Sequence, residues 1–537
     1  MLSRAVVTGC LVVAALLTGS RQASADTPNP AAAAKPPGPI AWTTCPDQPQ
    51  AQCGTFLAPL DYDEPNGPQI KVAIIRRQAT DPAHRIGSLF YSAGGPGGPT
   101  NSALALFYPL LSERVRERFD IVGIDPRGIG DTEQLHCFSS PKEEKDFLAQ
   151  FPPGGFPINS REEERQIELQ AEFNRRCVTQ GGPIQYHSGT ADVARDMDRA
   201  REALGDPLMY YYGPSYGSYL GVVYANLFPA KVGRIVLDGN VPPVEWNDAR
   251  GGKILNTFLR LSIPAGAVDT LLVMLRQCGA VDTSRCAFSA GTPQATVSKY
   301  RTLLARLRAR PVTVNKTSFT YALTVTTVVH YLQSQNASPA SPGWKSLGEL
   351  LQALYVATES GGAAQPLSAD VQRMVDRVGS TRHRPMLSGG FNAGLAEGVY
   401  TVLCGESPNP RDPYSYQVQS AWANAGNPYG FGSQWTWAAE GCAQWKPRNA
   451  DIYTGPWNRS TKPYLLIGTL YDPNTPYAAT LRMAAELPNA RVLTETGGGH
   501  TALLNKSDCI DNYVADYLIN GTLPPVNTRC DQNQQPF

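Results

Sequence analysis

The sequence predicts an α/β fold: a mostly parallel, doubly wound sheet interrupted by a large helical insertion. Three observations carry this. Strand-like apolar runs at residues 119–125 and 232–238 alternate with helix-like runs at 190–204 and 218–227, the order of a parallel sheet with crossover helices. Between residues 241 and 441 strand signals almost vanish and helical periodicity dominates. Strand-like runs then resume at 462–468 and 490–494, so the insertion lies within one sheet.

Composition sets outer limits. A chain of 537 residues with 42% hydrophobic and 17% charged residues can bury a sizeable core, and its length suits two domains or one large core with an insertion. A net charge of +1 without any basic run gives no footing for nucleic-acid binding. No Cys-x-x-Cys or His-Glu-x-x-His occurs, so a cysteine-rich zinc site has no basis, and no cofactor is expected.

The first 25 residues read as an export signal. Arg4 is followed by an apolar run at 5–17 and by Ala23-Ser24-Ala25, a small-residue cleavage site before Asp26. A secreted protein is therefore expected. Val7-Thr8-Gly9-Cys10 resembles a lipoprotein box, but most of the apolar run follows Cys10, so lipid anchoring ranks second. No later stretch offers about 18 uninterrupted apolar residues, and no stable membrane association is expected. Loss of Cys10 with the signal leaves ten of the 11 cysteines, an even number that fits an oxidising compartment. Chain neighbours suggest the pairs Cys45–Cys53, Cys137–Cys177, Cys278–Cys286, Cys404–Cys442 and Cys509–Cys530.

Residues 26–39, rich in Pro and Ala, read as a flexible leader or short pro-segment. The first part of the core is expected over 40–240. Runs at 56–61 and 70–76 flank Asp63-Glu64-Pro65-Asn66-Gly67, turn chemistry that suggests an antiparallel pair. A short strand at 87–92 runs into Ala93-Gly94-Gly95-Pro96-Gly97-Gly98. Four glycines there allow close backbone approach with N–H groups turned outward, as in one side of an oxyanion hole. A phosphate loop would need a Gly-Lys-Ser/Thr ending, which is missing. The strand at 119–125 ends in Pro126-Arg127-Gly128, where Arg127 is expected to form a structural salt bridge. Helices are expected at 162–176 and at 190–204, the second stopped by Gly205.

Gly213-Pro214-Ser215-Tyr216-Gly217 then stands between a strand-like run at 209–212 and a helix-like run at 218–227, the setting of a nucleophile elbow. The turn would expose the Ser215 hydroxyl beside a helix N-terminus. The insertion at 241–441, with helical runs at 254–261, 268–277, 294–308, 344–358 and 368–378, would cap the mouth of such a site. The core resumes over 442–537 and closes with a helix at 511–519.

A serine needs a base to take its proton, and the base needs an orienting partner. In the α/β-hydrolase arrangement the chain order is Ser, acid, His. Of six histidines, His84, His136 and His187 precede Ser215. His330 lies in an apolar helical run and His383 in a basic stretch of the insertion. His500 alone follows a late strand, in a glycine-rich loop, and is the expected base. Asp472 follows the strand at 462–468 and is the expected acid, with Asp451 and Glu495 as rivals. Ser215 would attack a carbonyl, and the backbone N–H groups of Gly95 and Tyr216 would stabilise the oxyanion.

With these residues in place, the chain resembles the secreted tripeptidyl aminopeptidases and their prolyl aminopeptidase relatives, serine peptidases of the α/β-hydrolase fold. The resemblance spans residues 42–530. It rests on Pro59-Leu60-Asp61-Tyr62, the Gly94 to Gly98 loop, Asp125-Pro126-Arg127-Gly128, the Ser215 pentapeptide, Leu237-Asp238-Gly239, Asp472-Pro473-Asn474-Thr475-Pro476 and Gly499-His500. It implies release of short peptides, typically tripeptides, from free peptide or protein N-termini. It also implies a cap carboxylate for the substrate's α-ammonium. Glu406 stands where relatives often carry Asp, and Glu397 and Glu245 are further candidates. Ala93, where prolyl aminopeptidases often have His, argues against the single-proline subclass. A carboxylesterase or lipase using the same triad is the alternative. A monomer is expected.

Overall fold

The computed structural model describes residues 36–152, 154–338, 341–360, 367–369, 371–373, 376, 395–460 and 462–537. The expected export signal, most of the leader, much of the 368–378 run, His383 and the Glu397 side chain lie outside the described residues.

Ten strands form one sheet, with β1 (Thr43–Thr44), β2 (Gln52–Pro59), β3 (Gln69–Arg77), β4 (Gly87–Tyr91), β5 (Phe119–Ile124), β6 (Met209–Pro214) and β7 (Val232–Asp238) from the first half of the chain. A small hairpin, β8 (Val312–Val314) and β9 (Thr317–Phe319), stands apart, and β10 (Tyr464–Tyr471), β11 (Ala490–Gly498) and β12 (Arg529–Cys530) complete the sheet. The order is β1-β2-β3-β5-β4-β6-β7-β10-β11-β12. The first three strands join β5 antiparallel, and the rest run parallel.

The central strands are mostly apolar because both faces of a parallel sheet are covered, and the charged Asp120, Arg234 and Asp238 within them are hydrogen-bonded. Alternate side chains go to opposite layers. Phe90, Val122, Tyr211, Ile235 and Leu466 pack toward the helices Thr190–Ala203 and Tyr216–Leu227. Leu89, Ile121, Tyr212, Val236 and Leu465 pack toward Thr100–Phe107 and Asp508–Asn520. Each such aliphatic side chain contributes about 1.5–3 kcal/mol by leaving water. The last helix begins where Ser507 accepts from the Ile510 N–H and ends at left-handed Gly521, φ 78°.

The chain leaves the sheet after β7 and returns in β10, its direct parallel neighbour, with Ile235 opposite Tyr464. The intervening stretch is built mainly from helices, including Ile263–Gly279, Pro293–Ala309, Tyr321–Leu332, Gly343–Ser360, Ser415–Ala425 and Phe431–Ala438. Two expectations are corrected here. The 254–261 run is helical only over Thr257–Arg260, because Asn256 caps it by accepting from the N–H groups of Phe258 and Leu259. Strand structure is also present, since β8 and β9 turn at Asn315 and Lys316, both with positive φ as a two-residue hairpin requires. In the sheet, β10 and β11 run past the expected ends at 468 and 494.

Five disulfides join Cys45–Cys53, Cys137–Cys177, Cys278–Cys286, Cys404–Cys442 and Cys509–Cys530, the pairing that adjacency in the chain suggests. Arg127 is fully buried. Its guanidinium forks onto Asp196 (2.6 and 2.8 Å) and donates to the carbonyls of Pro59 and Leu60 (2.7 and 2.6 Å), tying the β2 end to the β5 turn. No described helix is long and apolar enough to cross a membrane.

Candidate active site

Ser215 occupies the turn between β6 and the helix Tyr216–Leu227, with φ 56° and ψ −129°. Positive φ is strained for a side-chain-bearing residue. Its surroundings hold it there. The Ser215 N–H donates to the Asp238 carbonyl (2.8 Å), and the Ser218 hydroxyl donates to the Ser215 carbonyl (2.6 Å). Strand and helix cross so closely that a Cβ on Gly213 would lie 2.4 Å from the Gly217 carbonyl oxygen. The glycine loop after β4 lies against this turn. Gly94 has φ 75°, and a Cβ there would sit 3.0 Å from the Pro214 oxygen and 3.3 Å from the Ser215 Cβ.

His500 follows β11 and Asp472 follows β10, so the parallel order of the two strands brings them together. The imidazole Nδ1 lies 3.0 and 3.1 Å from the two Asp472 oxygens. Four further donors converge on that carboxylate: the N–H groups of Asn474 and Thr475 (2.8 Å each) on one oxygen, the Thr475 hydroxyl (2.8 Å) and the Thr501 N–H (3.1 Å) on the other. Thr501 accepts φ 63° to make its bond. Burial alone would lower the imidazole pKa. The Asp472 charge and hydrogen bond, with Asp238 adding, outweigh burial and hold it above the ordinary histidine value of 6.5.

Asp238, at the end of β7, supports the same loop. Its carboxylate accepts from the N–H groups of Ala502 and Leu503 (2.9 Å each) and from the Tyr212 hydroxyl. Burial raises its pKa to about 6 against those bonds. The insertion holds the loop from the other side, because the His500 N–H donates to the Gln333 carbonyl (2.7 Å).

Ser215, His500, Gly95 and Tyr216 all line one cavity of about 310 Å³. Trp246, Phe258, Leu261, Val329 and Trp435, from the stretch after β7, make much of its wall apolar. Its polar groups include His330, Gln333, Gln434, Asn474 and Thr475. Sequence reasoning set His330 aside because it lies in an apolar helical run, and passed over Gln333 and the aromatic wall. A single polar residue in an apolar helix carries no local sign of facing a cavity.

The acid rivals lie elsewhere. Asp451 pairs with Arg195, and Glu495 is buried within β11, accepting from the Thr469 hydroxyl (2.8 Å). The substrate-binding expectations are corrected for two residues. Glu406 is only 2% exposed and lies behind Tyr216 and Trp246, so it does not reach the cavity wall. Its carboxylate accepts from the Thr190 N–H (2.8 Å), the Thr190 hydroxyl (2.9 Å) and the Trp246 indole N–H (2.9 Å). Burial pushes its pKa up, and these donors pull it back. Glu245 pairs with Arg482 at 2.5 Å, also away from the cavity. Among the described lining residues there is no carboxylate.

Comparisons with known proteins agree with this architecture. Residues 94–260 match the family model for the alpha/beta hydrolase fold, and residues 427–530 match the model described as TAP-like protein. The chain is 30% identical over 520 residues to serine protease Hip1 of Mycobacterium tuberculosis, covering 92% of this chain and 91% of that one. It is 28% identical over 501 residues to carboxylesterase B of the same organism, covering 89% and 86%. It is 26% identical over 505 residues to a tripeptidyl aminopeptidase of Streptomyces lividans, covering 90% and 84%.

Proposed function

The chain belongs to the TAP-like α/β-hydrolases, and from that premise we propose that it is a secreted serine peptidase that releases short peptides, tripeptides in the first instance, from free N-termini. The observation that carries the reading is the convergence on one cavity of a strained, helix-capping serine and a histidine paired to a buried aspartate. Ser215 attacks the carbonyl carbon of the scissile amide while His500 takes the hydroxyl proton at Nε2. Asp472 fixes the Nδ1–H tautomer and stabilises the imidazolium. The oxyanion faces the N–H groups of Gly95 and Tyr216. Collapse of the tetrahedral adduct expels the amine with the proton from His500 and leaves an acyl-enzyme. Water, deprotonated by His500, then hydrolyses that ester and restores Ser215. The residues of 241–441 serve as the cap, and a cavity of about 310 Å³ suits a short peptide segment better than a folded chain. Five disulfides fit an exported protein.

One observation favours a second reading, a carboxylesterase. The described wall presents amide and hydroxyl groups but no carboxylate to pair with a substrate ammonium. Hydrolysis of a chromogenic tripeptide with a free N-terminus, its acetylated twin and a short aryl ester separates the two. Cleavage confined to the free-amino peptide and lost in Ser215→Ala supports the peptidase. Ester turnover with both peptides intact moves the protein to the esterases. Unchanged turnover in Ser215→Ala overturns both.

A further inference from the structure

Glu406 and its neighbours form a closed network directly behind the reactive turn. Its carboxylate meets three donors: the Thr190 N–H, the Thr190 hydroxyl and the Trp246 indole N–H. With the carboxyl ionised, all three groups donate to it. The start of the helix Thr190–Ala203, whose first N–H groups lack intrahelical partners, favours the same charge. With an ionised Glu406 taking the Thr190 hydroxyl hydrogen, the Thr190 oxygen is left to accept from Tyr216, whose hydroxyl it touches. Tyr216 and Trp246 both line the cavity, with ring centroids 5.5 Å apart.

We propose that Glu406 is a positioning residue. Through Thr190 it anchors the side chain of Tyr216 and so aligns the Tyr216 amide toward the reacting carbonyl, and through its indole bond it sets the Trp246 wall beside it. This rests on the reading of Ser215 as nucleophile and of the Tyr216 N–H as an oxyanion donor. The acid implied by resemblance to bind the substrate's amino group is, on this geometry, a buried strut.

The test is steady-state kinetics on a small aryl ester, with rates divided by the active sites titrated with a fluorophosphonate, so that loss of folded protein cancels. Glu406→Gln must turn an amide NH₂ toward an existing donor. Thr190→Val breaks only the hydroxyl relay, and Tyr216→Phe removes its far end. Each should lower kcat per titrated site by about tenfold with KM little changed, less than the 10²–10³ typical of losing an oxyanion donor outright. Thr190→Ser, which keeps the hydroxyl, should restore kcat. The Glu406→Gln/Thr190→Val double variant should be no slower than Glu406→Gln alone. If Glu406→Gln does not fold, the other two variants decide. Normal kcat in Thr190→Val and Tyr216→Phe overturns the proposal. So does a rise in KM confined to free-amino peptides in Glu406→Gln, which would return the residue to substrate binding. Fluorophosphonate labelling that survives Ser215→Ala would instead overturn the functional reading beneath it.

Discussion

Replacing Asp472 by Asn should abolish turnover through a proton on the wrong nitrogen. Two backbone N–H groups meet one Asp472 oxygen at 2.8 Å, so an Asn NH₂ cannot sit there without opposing both. On the other oxygen it opposes only the Thr501 N–H, because the Thr475 hydroxyl can rotate and accept. The amide therefore takes that orientation. Its NH₂ then lies beside His500 Nδ1, now 3.1 Å from the corresponding oxygen, and donates to it. The imidazole responds by carrying its hydrogen on Nε2, where it can no longer accept from Ser215. A tautomer error of this kind costs on the order of 10⁴ in kcat, or about 5.5 kcal/mol of barrier. The opposed Thr501 N–H costs about 1–3 kcal/mol of stability. The pH profile adds a second readout. On the proposed mechanism neutral His500 is the active form, so native activity should rise as pH climbs through a pKa held above 6.5. Removing the Asp472 charge should move the residual acid limb to lower pH. The assay is kcat/KM against pH with a short aryl ester. Retention of more than about a tenth of native activity, or an acid limb that stays in place, would refute the reasoning.

Three further outcomes follow from the packing. Gly213→Ala places a methyl 2.4 Å from both the Gly217 oxygen and the Tyr211 ring, so it should cost about 3 kcal/mol in urea unfolding and block fluorophosphonate labelling. Arg127→Lys keeps the charge but loses the fork on Asp196 and strands buried carbonyls, and should cost about 3 kcal/mol or more with little direct effect on KM. Glu440→Gln should show its effect in pH. Burial raises the Glu440 pKa from 4.5 to about 8. The native fold thus keeps a proton that the unfolded chain releases first, and native stability falls between those values, whereas Gln does not titrate. The stability of the variant relative to the native protein should therefore rise by a few kcal/mol from pH 4.5 to 8 and level off above, as measured by denaturant midpoints at each pH.

The parts that were legible in the sequence are those whose cause is local. A buried parallel strand is mostly apolar, and β5, β6 and β7 are so apart from Asp120, Arg234 and Asp238. The turns at the C-terminal ends of β6, β10 and β11 are rich in glycine and turn-forming residues, which marks where Ser215, Asp472 and His500 stand. The hairpin was missed because Asn315-Lys316 lacks the glycine of the commonest two-residue turns and its strands have three residues each. The helix Tyr321–Leu332 was read only as an apolar helical run around His330, without bounds, because it is buried nearly all round and shows no polar face. Glu406 was misread for a different reason. Its partners Thr190 and Trp246 come from distant parts of the chain, and nothing beside Glu406 in the sequence distinguishes a carboxylate that is saturated from one that is waiting for a ligand.

The adjacency of β7 and β10 also sets a timetable. The elbow and the glycine loop are complete once the ribosome has passed residue 240. The acid and the base come only after the whole insertion has been made, and the loop of His500 leans on Gln333 within that insertion. On the proposed mechanism a growing chain therefore carries its nucleophile for more than half of its synthesis with no group to deprotonate it. If the protein cuts other polypeptides as proposed, it is harmless to its neighbours for as long as it is unfinished, and the order of the strands alone provides that safeguard.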